Sequence, residues 1–320
     1  MDEDYPKTLL ELERRFASED ACREYLTELR WPSGFVCPAC QCAVGWPDRR
    51  YRWTCQGCRR QSTVTAGTIF EGTHLPLHVW FRAVWLVTTQ KSGASALGVQ
   101  RVLGLGSYKT AWAWLHKLRR AMVRQGRDQL CGTVEVDETF IGGIAVGAAG
   151  RDRIGKEMVA VAAEEDGTRI GRIRLARIAD GSSDSLHGFI QQTIAPGSTV
   201  HTDGWLGYQG LDKLGYTHLA TRISPRTREA AVELMPRVHR VASLLKRWLL
   251  GTHQGSVGSN HIDYYLDEFT FRFNRRRSAS RGKLFYRLLQ QAVQVGPVTF
   301  DKIVGNQGGV TTSNSGVVAK

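Results

Sequence analysis

The sequence predicts an α/β protein in which a mixed-sheet core follows a small cysteine-rich module and a helical region. Two Cys-x-x-Cys pairs lie near the N-terminus. After residue 131 the spacing of the apolar residues predicts strands and one helix in the order β-β-β-α-β. A chain of 320 residues is long enough for about two domains. Hydrophobic residues make up 42% of the chain, which suffices for an ordinary core.

The first predicted element with clear boundaries is a helix over residues 18–29. Ser18 is a preferred capping residue, and Glu19 and Asp20 suit the first turn. Cys22 falls on the apolar stripe of this helix, so we expect it in the core rather than on a metal.

Two cysteine pairs follow, CPAC and CQGC, and fourteen residues separate them. Each pair can place two thiolates on one metal, and two pairs complete a tetrahedral zinc site with no open position for catalysis. A pair of redox dithiols is the alternative, but no thioredoxin-like strand–helix unit surrounds them, and Cys42 is left over. We therefore expect structural zinc at Cys37, Cys40, Cys55 and Cys58.

Charge and cysteine usage favour a polyanionic partner and a reducing compartment. The formal net charge is +13, and four zinc-bound thiolates would lower it to roughly +11. Such a charge favours nucleic acid without identifying it. We expect a cytoplasmic protein, nucleoid-associated when bound to DNA, because the cysteines do not suggest a disulfide framework. No run approaches the ~18 apolar residues of a membrane span, and the acidic N-terminus lacks a signal-peptide core.

An apolar helix over residues 76–90 and two further helices within 95–122 follow the cysteines. The two helices are joined by a glycine-rich turn at 104–106, and Ser107 can cap the second one. This pattern predicts a helix-turn-helix whose recognition helix begins at about residue 107. An ordinary helical hairpin with solvated charges is the alternative. The basic residues expected to contact DNA here are Lys109, Lys117, Arg119 and Arg120.

The segments after residue 131 predict the main sheet. The strands are 132–143, 158–165, 171–178 and one within 198–208, and the helix is 183–194. Asp137 lies on the first strand and Asp203 ends the fourth. This layout is that of the RNase H-like fold, in which neighbouring central strands bring the two aspartates together.

Paired aspartates at adjacent strands indicate a divalent-metal site for phosphodiester chemistry. Carboxylates are preferred ligands of Mg²⁺ and Mn²⁺, and two ions about 3.5–4 Å apart stabilise both the entering and the leaving oxygen. Glu135 and Glu138 are rivals to Asp137, and Glu135 shares its face of the strand. A third ligand is expected near residues 237–255, RVHRVASLLKRWLLGTHQG, but that stretch contains no carboxylate.

The whole pattern resembles the zinc-ribbon insertion-sequence transposases of the ISXO2-like type. The resemblance covers roughly residues 8–292 and rests on five stretches: RWPSGFVCPAC, VEVDETFIGG, HTDGWLGY, VHRVASLLKRWLLGTHQG and YLDEFTFRFNRR. It implies a DDE-type transposase that binds the inverted repeats of its element, cuts DNA and joins the new 3′-hydroxyls to target DNA. Zn²⁺, Mg²⁺ or Mn²⁺, double-stranded DNA and a homo-oligomer formed on DNA are therefore expected, and no membrane partner.

The resemblance also implies the remaining site residues. Asp137 and Asp203 match the first two acids of the family, and its third position, which varies among Glu, Asn and His, falls on His239. The lysine seven residues later falls on Lys246. Seven helical residues make nearly two turns, so the two side chains share one side about 10.5 Å apart. The metal ligands expected are thus Asp137, Asp203 and His239, with Lys246 completing the catalytic set.

Several other acids compete with His239 for the third position. Glu233 is the main rival, but Pro236 follows it, and proline suits the first helical turn rather than the interior. Glu233 is therefore expected to precede the helix. Weaker rivals are Glu229, Asp267 and Glu268. A histidine in place of an acid favours use of Mn²⁺ as well as Mg²⁺.

The C-terminal region is densely basic before it ends in a Gly/Ser/Thr-rich tail. Solvated helix ends are the alternative to phosphate contacts there. The additional DNA-binding residues expected are Arg247, Arg275 and Arg276.

A zinc-ribbon DNA-binding protein without catalysis is the alternative function. The predicted regions are a helical segment (1–30), a zinc ribbon (31–70), a helix-turn-helix region (71–126), an RNase H-like catalytic domain (132–295) and a disordered tail (296–320).

Overall fold

Five ranges of the chain, residues 3–124, 126–142, 156–221, 234–255 and 257–305, are described in a computed structural model of the protein. The helices in these ranges are α1 (Leu9–Arg15), α2 (Glu19–Arg30), α3 (Leu77–Thr89), α4 (Ala96–Leu103), α5 (Tyr108–Arg120), α6 (Ser183–Thr193), α7 (Pro236–His253), α8 (Ile262–Asn274), α9 (Arg281–Ala292) and α10 (Phe300–Val304). The strands are β1 (Gly45–Pro47), β2 (Arg52–Cys55), β3 (Gln61–Thr63), β4 (Thr133–Ile141), β5 (Glu157–Asp166), β6 (Arg169–Ile178), β7 (Thr199–Thr202) and β8 (Thr217–Ala220).

The N-terminal part combines helices with a small antiparallel sheet of order β1-β2-β3. Ser18 caps α2 by accepting the Ala21 N–H, and Cys22 is fully buried, which confirms both predictions. On the sheet, Trp53 stacks on Phe35 with ring centroids 4.9 Å apart. This aromatic contact ties the sheet to the chain just before the first cysteine pair.

One apolar core joins this N-terminal part to the C-terminal helix α9. Phe285 of α9 packs between Phe16, which follows α1, and Phe81 of α3, with ring centroids 6.1 and 5.7 Å away. Helix α9 belongs by sequence to the predicted region 132–295, but its apolar face lies in the N-terminal core. The chain therefore returns to its starting domain after the main sheet.

The main sheet is mixed and five-stranded, with the order β6-β5-β4-β7-β8. Strands β4, β5 and β6 are antiparallel neighbours, whereas β7 lies parallel to β4, and β8 parallel to β7. With α6 between β6 and β7, the observed order is the predicted β-β-β-α-β, followed by a fifth strand. Alternate residues of a strand face opposite sides, so the sheet has two distinct apolar faces.

Each face of the sheet is covered by a different set of helices. Helix α6 covers one face, where Val134 and Val136 of β4 are buried. Helices α7 and α8 cover the other face, over Ile141 of β4, Val161 of β5 and Ile173 of β6. Four residues of α7 at helical spacing make this contact, namely Val238, Val241, Leu245 and Leu249.

Helix α7 begins at Pro236, in the first-turn position where proline is tolerated. It runs to His253, so it includes both His239 and Lys246. The competing acids Glu229 and Glu233 lie outside the described residues, as does most of the predicted tail.

A buried ion pair links α5 to α8 and corrects one prediction. Arg119 Nε donates to Glu268 Oε2 at 2.8 Å, and each side chain is only 1% exposed. The guanidinium also lies 4.0 Å above the ring of Tyr265. Arg119 was predicted to contact DNA, but it is enclosed between two helices and its charge is satisfied there.

The loop between α3 and α4 is held by the helices that cover the main sheet. Arg272 donates to the carbonyl oxygens of Val87, Gln90 and Lys91. Trp248 Nε1 and Thr252 Oγ1 both donate to the Ser92 carbonyl oxygen at 2.8 Å. The carbonyls at the end of a helix lack partners within that helix, so these donors stabilise α3 while joining the two parts of the chain.

No helix within the described ranges is both long and apolar enough to cross a bilayer.

Replacing Glu268 with Gln is expected to destabilise the protein strongly. The change leaves Arg119 buried beside a neutral partner, and breaking a buried pair from one side typically costs about 3–5 kcal/mol. Urea unfolding followed by circular dichroism measures the loss. Asp166→Asn is the matched control, because Asp166 pairs with Arg277 at an exposed site where such a pair contributes about 0–1 kcal/mol. Equal losses in both variants would contradict the role of the buried pair.

Acid is expected to destabilise the protein through His116, which is fully buried beside Arg119. Burial lowers the pKa of His116 to about 2, and nearby Arg119, His261 and His253 act in the same direction. The unfolded chain binds the proton with a pKa near ~6.5, so stability is retained above that pH and falls as pH drops below it, by about 1.4 kcal/mol per pH unit for this group.

The measurement is the free energy of unfolding at pH 7.5, 6.0 and 5.0 for the wild type and for His116→Gln. Glutamine does not titrate, so the free energy of unfolding of His116→Gln should fall less steeply with decreasing pH. The difference in slope should correspond to about one proton bound on unfolding. His74→Gln, at an exposed position, should keep the wild-type slope. Indistinguishable slopes for His116→Gln and the wild type would rule out His116 as the source.

Candidate functional site

The four predicted cysteine ligands come together in the N-terminal sheet. Their sulfur atoms all lie within 4.8 Å of one another, with Cys37 and Cys58 at 3.7 Å and Cys40 and Cys55 at 3.5 Å. A tetrahedron with Zn–S bonds of ~2.3 Å has S···S edges of about 3.8 Å. The donor set and its size therefore fit zinc.

The two cysteine pairs are built alike, which explains the closeness of their sulfurs. The Gln41 N–H donates to the Cys37 carbonyl, and the Arg59 N–H donates to the Cys55 carbonyl. Gln41 and Arg59 both have positive φ, 61° and 59°, at equivalent positions after their pairs. Cys42 lies outside the quartet, with its sulfur 3.7 Å from the Val44 carbonyl oxygen, so it remains the spare cysteine expected from the sequence.

The register of the central strands brings Asp137 and Asp203 to the same level of the sheet. The parallel pairing of β4 and β7 matches Glu135 with His201. Asp137 and Asp203 each lie two residues further along, so they are on the same face of neighbouring strands, which run about 4.8 Å apart. Asp203 follows the last residue of β7, and its Oδ1 accepts the Trp205 N–H at 3.0 Å.

Helix α7 adds His239 to this face of the sheet. His239 Nδ1 lies 3.5 Å from Asp137 Oδ2, and both side chains are partly accessible, at 30% and 19%. His239 is on the first turn of α7, above the strand that carries Asp137. The structure thus brings together these two predicted site residues, which are about one hundred positions apart in the sequence.

Glu135 holds the start of α7 against the sheet, a role that sequence reasoning missed. Its Oε2 accepts the N–H groups of Arg237 and Val238 at 2.8 and 2.9 Å, and its Oε1 accepts from the Arg237 guanidinium at 2.8 Å. Glu135 is fully buried, and its charge faces the positive end of the helix dipole. Because both oxygens are engaged in this way, Glu135 is occupied as a helix cap rather than as a rival metal ligand.

A sequence signal for this cap exists in retrospect. Pro236 opens α7, but the residue before it, Met235, has no side chain that can cap a helix. A helix start without its own cap leaves N–H groups to be satisfied by another element, and a buried acid on the facing strand is suited to that.

Glu138, the other rival of Asp137, lies on the opposite face of β4. Alternation along the strand turns it away from α7 and toward Tyr208. Tyr208 is fully buried there, and burial together with the nearby acids raises its pKa well above the usual value. Glu268, a weaker rival, is engaged by Arg119.

The aspartate–histidine group is more open than the cysteine quartet. Among the described residues, the quartet is the one set of three or more His, Cys, Asp or Glu whose ligand atoms all lie within 4.8 Å of one another. Their chemistry, two hard oxygen donors and an imidazole, suits Mg²⁺ or Mn²⁺.

The residues predicted to bind DNA differ in their accessibility. Lys109, at the start of α5, and Lys246 and Arg247, on α7, are exposed. Arg120 is half-buried, and so is Lys117, whose pKa is lowered by burial. Helix α5 therefore presents its first turn to solvent and buries most of the remainder.

Arg275 and Arg276 are engaged within the fold. Their guanidinium groups lie 4.1 and 3.9 Å above the rings of Phe271 and Phe273. Arg276 also donates to backbone carbonyls of β6, including that of Gly171 at 3.3 Å. Burial lowers the pKa of Arg275 to about 10. Arg276 thus joins the end of α8 to β6, whereas Arg275 contacts α8 itself, and phosphate contact stays a prediction for both.

Removing one ligand of the quartet is expected to abolish zinc binding, whereas removing the spare cysteine is not. Cys37→Ser leaves three thiolates and an incomplete tetrahedron, while Cys42→Ser leaves all four. Zinc in the purified proteins can be measured by atomic absorption, with about one ion per chain expected for the wild type and Cys42→Ser. Equal zinc in the two serine variants would contradict the assignment.

Comparison with known proteins places both sites within transposase domains. The transposase zinc-ribbon domain family matches residues 17–61, which include the cysteine quartet. The ISXO2-like transposase domain family matches residues 129–274, which include Asp137, Asp203 and His239. The chain is also 29% identical over 144 residues to an uncharacterized protein in transposable element ISH50 of Halobacterium salinarum.

That alignment covers 44% of this chain and 47% of the halobacterial protein, so the chain spans about half the length of this relative. It agrees with the two domain matches, which together cover most of the N-terminal sheet and the whole described main sheet. Residues 17–61 and 129–274 thus match a transposase zinc ribbon and an ISXO2-like transposase domain, and this combination indicates an insertion-sequence transposase.

Proposed function

We propose that this transposase binds the terminal inverted repeats of its element and cuts and joins DNA at Asp137, Asp203 and His239. The observation that carries the proposal is the parallel register of β4 and β7, which sets the two aspartates on one face beside α7. The distance of 3.5 Å between His239 and Asp137 supports the imidazole as the third ligand. The sheet order β6-β5-β4-β7-β8 supports an RNase H-like core.

Both reactions are phosphoryl transfers at one site. In the first, water attacks phosphorus, the bond to the 3′-oxygen breaks, and a 3′-hydroxyl and a 5′-phosphate result. In the second, that hydroxyl attacks a phosphodiester of the target and displaces another 3′-oxygen. Mg²⁺ or Mn²⁺ bound by Asp137, Asp203 and His239 would stabilise the charge on the entering and leaving oxygens.

The protein's own contribution is to orient these three ligands and the DNA. Glu135 fixes the first turn of α7, so His239 is held against Asp137 rather than being free to turn away. Lys246 lies two turns further along α7 on the same side, where an exposed ammonium suits a DNA phosphate.

DNA recognition is assigned to the N-terminal part of the chain. The formal net charge of +13 suits a polyanion. Helices α4 and α5 with their tight turn form a candidate helix-turn-helix, in which Lys109 on the exposed first turn of α5 is placed to reach a groove. Lys117, Arg120 and Arg247 are further candidates for phosphate contacts, and pairing of two element ends would require a homo-oligomer on DNA.

The test is metal-dependent cleavage of a labelled duplex that carries the inverted repeat of this element. The cleavage rate should fall in each of three variants, Asp137→Asn, Asp203→Asn and His239→Ala. The fall should exceed ~10–100-fold, which is the loss typical of altering a residue that only supports a metal ligand. His239→Asp supplies an oxygen ligand in place of the imidazole, so it should cleave faster than His239→Ala. Its metal preference should shift from Mn²⁺ toward Mg²⁺.

Asp212→Asn, at an exposed position in the same domain, is the matched control and should cleave as the wild type does. Near-normal cleavage by His239→Ala would exclude His239 as a ligand. If the wild type binds the repeat specifically but does not cleave it with either metal, the alternative of a DNA-binding protein that has lost catalysis is favoured. The reason to consider this alternative is that α7, within the described residues, carries no third acid.

A further inference from the structure

Strand β8, the fifth strand of the main sheet, is an element that sequence reasoning missed. Three of its four residues are exposed, and His218 is half-buried. It nevertheless pairs with every residue of β7, from Thr199 to Thr202. Because β8 buries little apolar surface of its own, its main contribution is the backbone ladder that holds β7, and Asp203 follows directly after β7.

The last residue of β7 is held by β8 rather than by β4. In the described sheet, the pairing of β4 with β7 ends at Glu135 and His201. Thr202 comes one residue later and still pairs with β8, and its carbonyl oxygen accepts the Thr221 N–H at 2.9 Å. Consecutive Cα atoms are about 3.8 Å apart, so the place of Thr202 limits the place of Asp203.

The side chain of Thr202 forms a second link to β8. It is fully buried, and alternation along the strand places it on the face opposite to that of Asp203. Its Oγ1 lies 3.0 Å from His218 Nε2, and the Gly204 N–H donates to the same oxygen at 3.4 Å. The hydroxyl can satisfy both neighbours by accepting from Gly204 and donating to His218 Nε2, with the imidazole proton on Nδ1. The residues on both sides of Asp203 are thereby tied to one histidine.

We propose that His218 is a positioning residue for Asp203 and acts through the Thr202 hydroxyl from the opposite face of the sheet. The inference rests on the proposed function, in which Asp203 is a metal ligand. A shift of ~1 Å at a reacting centre can cost about 100-fold in rate. Loss of a residue that supports a ligand directly costs ~10–100-fold in metal affinity. His218 acts at one residue's remove, so a loss on the order of 10-fold is expected.

The experiment measures Mn²⁺ binding to the full-length, zinc-loaded protein through the electron paramagnetic resonance signal of the free ion. The site is defined as the binding that Asp203→Asn loses. Thr202→Val replaces the hydroxyl with a methyl group and should weaken this binding by about 10-fold, whereas Thr202→Ser keeps the hydroxyl and should bind as the wild type does. The Mn²⁺ concentration for half-maximal cleavage of the repeat should rise by the same factor, with a much smaller change in the rate at saturating Mn²⁺.

Two substitutions of His218 test the same link from its other end. His218→Leu removes the polar nitrogen and should weaken Mn²⁺ binding as Thr202→Val does. His218→Gln places an amide group near the position of Nε2, so it should retain most of the wild-type affinity. Should Thr202→Val fail to fold, the comparison of the leucine with the glutamine variant decides instead.

Thr193→Val is the matched control for the loss of a buried hydroxyl. Thr193 is also buried, and on α6 its Oγ1 donates to the Phe189 carbonyl oxygen at 2.7 Å. Thermal unfolding should show a similar loss of stability in Thr193→Val and Thr202→Val, because each variant loses a buried hydrogen bond. Only Thr202→Val should lose affinity for Mn²⁺.

The possible results separate this proposal from the proposed function. Wild-type Mn²⁺ affinity in Thr202→Val and His218→Leu would overturn the positioning role and leave the proposed function intact. An equal loss of affinity in Thr193→Val would also overturn it, since the effect would then follow from stability alone. Equal Mn²⁺ binding by the wild type and Asp203→Asn would instead count against Asp203 as a ligand and so against the proposed function itself.

Discussion

The bond between Glu135 and the start of α7 is the interaction on which the rest of the site depends. A buried carboxylate on the central strand accepts the first free N–H groups of the helix. This contact sets both the height and the rotation of α7 over the sheet, and therefore the 3.5 Å approach of His239 to Asp137. The start of α7 has no side-chain cap of its own, and Arg237 adds hydrogen bonds to the Gly167 and Arg169 carbonyl oxygens beside the contact with Glu135.

The same helix connects the candidate site with the N-terminal part of the protein. Its first turn carries His239, while Trp248 and Thr252 near its end hold the loop after α3 by hydrogen bonds to Ser92. The buried Arg119–Glu268 pair and the return of α9 to the first core add two further links. The candidate DNA-recognition helices and the candidate catalytic site are therefore joined by directional and apolar contacts rather than by a linker alone.

Much of this arrangement was predictable from local pattern, and the failures share one cause. The cap at Ser18, the burial of Cys22, the element order β-β-β-α-β and the place of Pro236 in the first turn of α7 follow from residues close together in the chain. Arg119 was wrongly predicted to contact DNA, because a helical wheel cannot tell which basic residue meets an acid from a distant helix. Glu135 was seen as a rival ligand for the same reason, since its partners lie about one hundred positions away.

The sequence by itself determined the cysteine quartet, because the spacing within each pair fixes two sulfurs on one edge and the knuckle backbone is local. It also determined that two aspartates lie at strands of one sheet. Only the tertiary structure decided which acids share a face with His239, which one caps α7 and which arginines are buried. Those outcomes depend on strand register, on the faces that the helices cover and on burial of charge, and each of these is a relation between segments far apart in the chain.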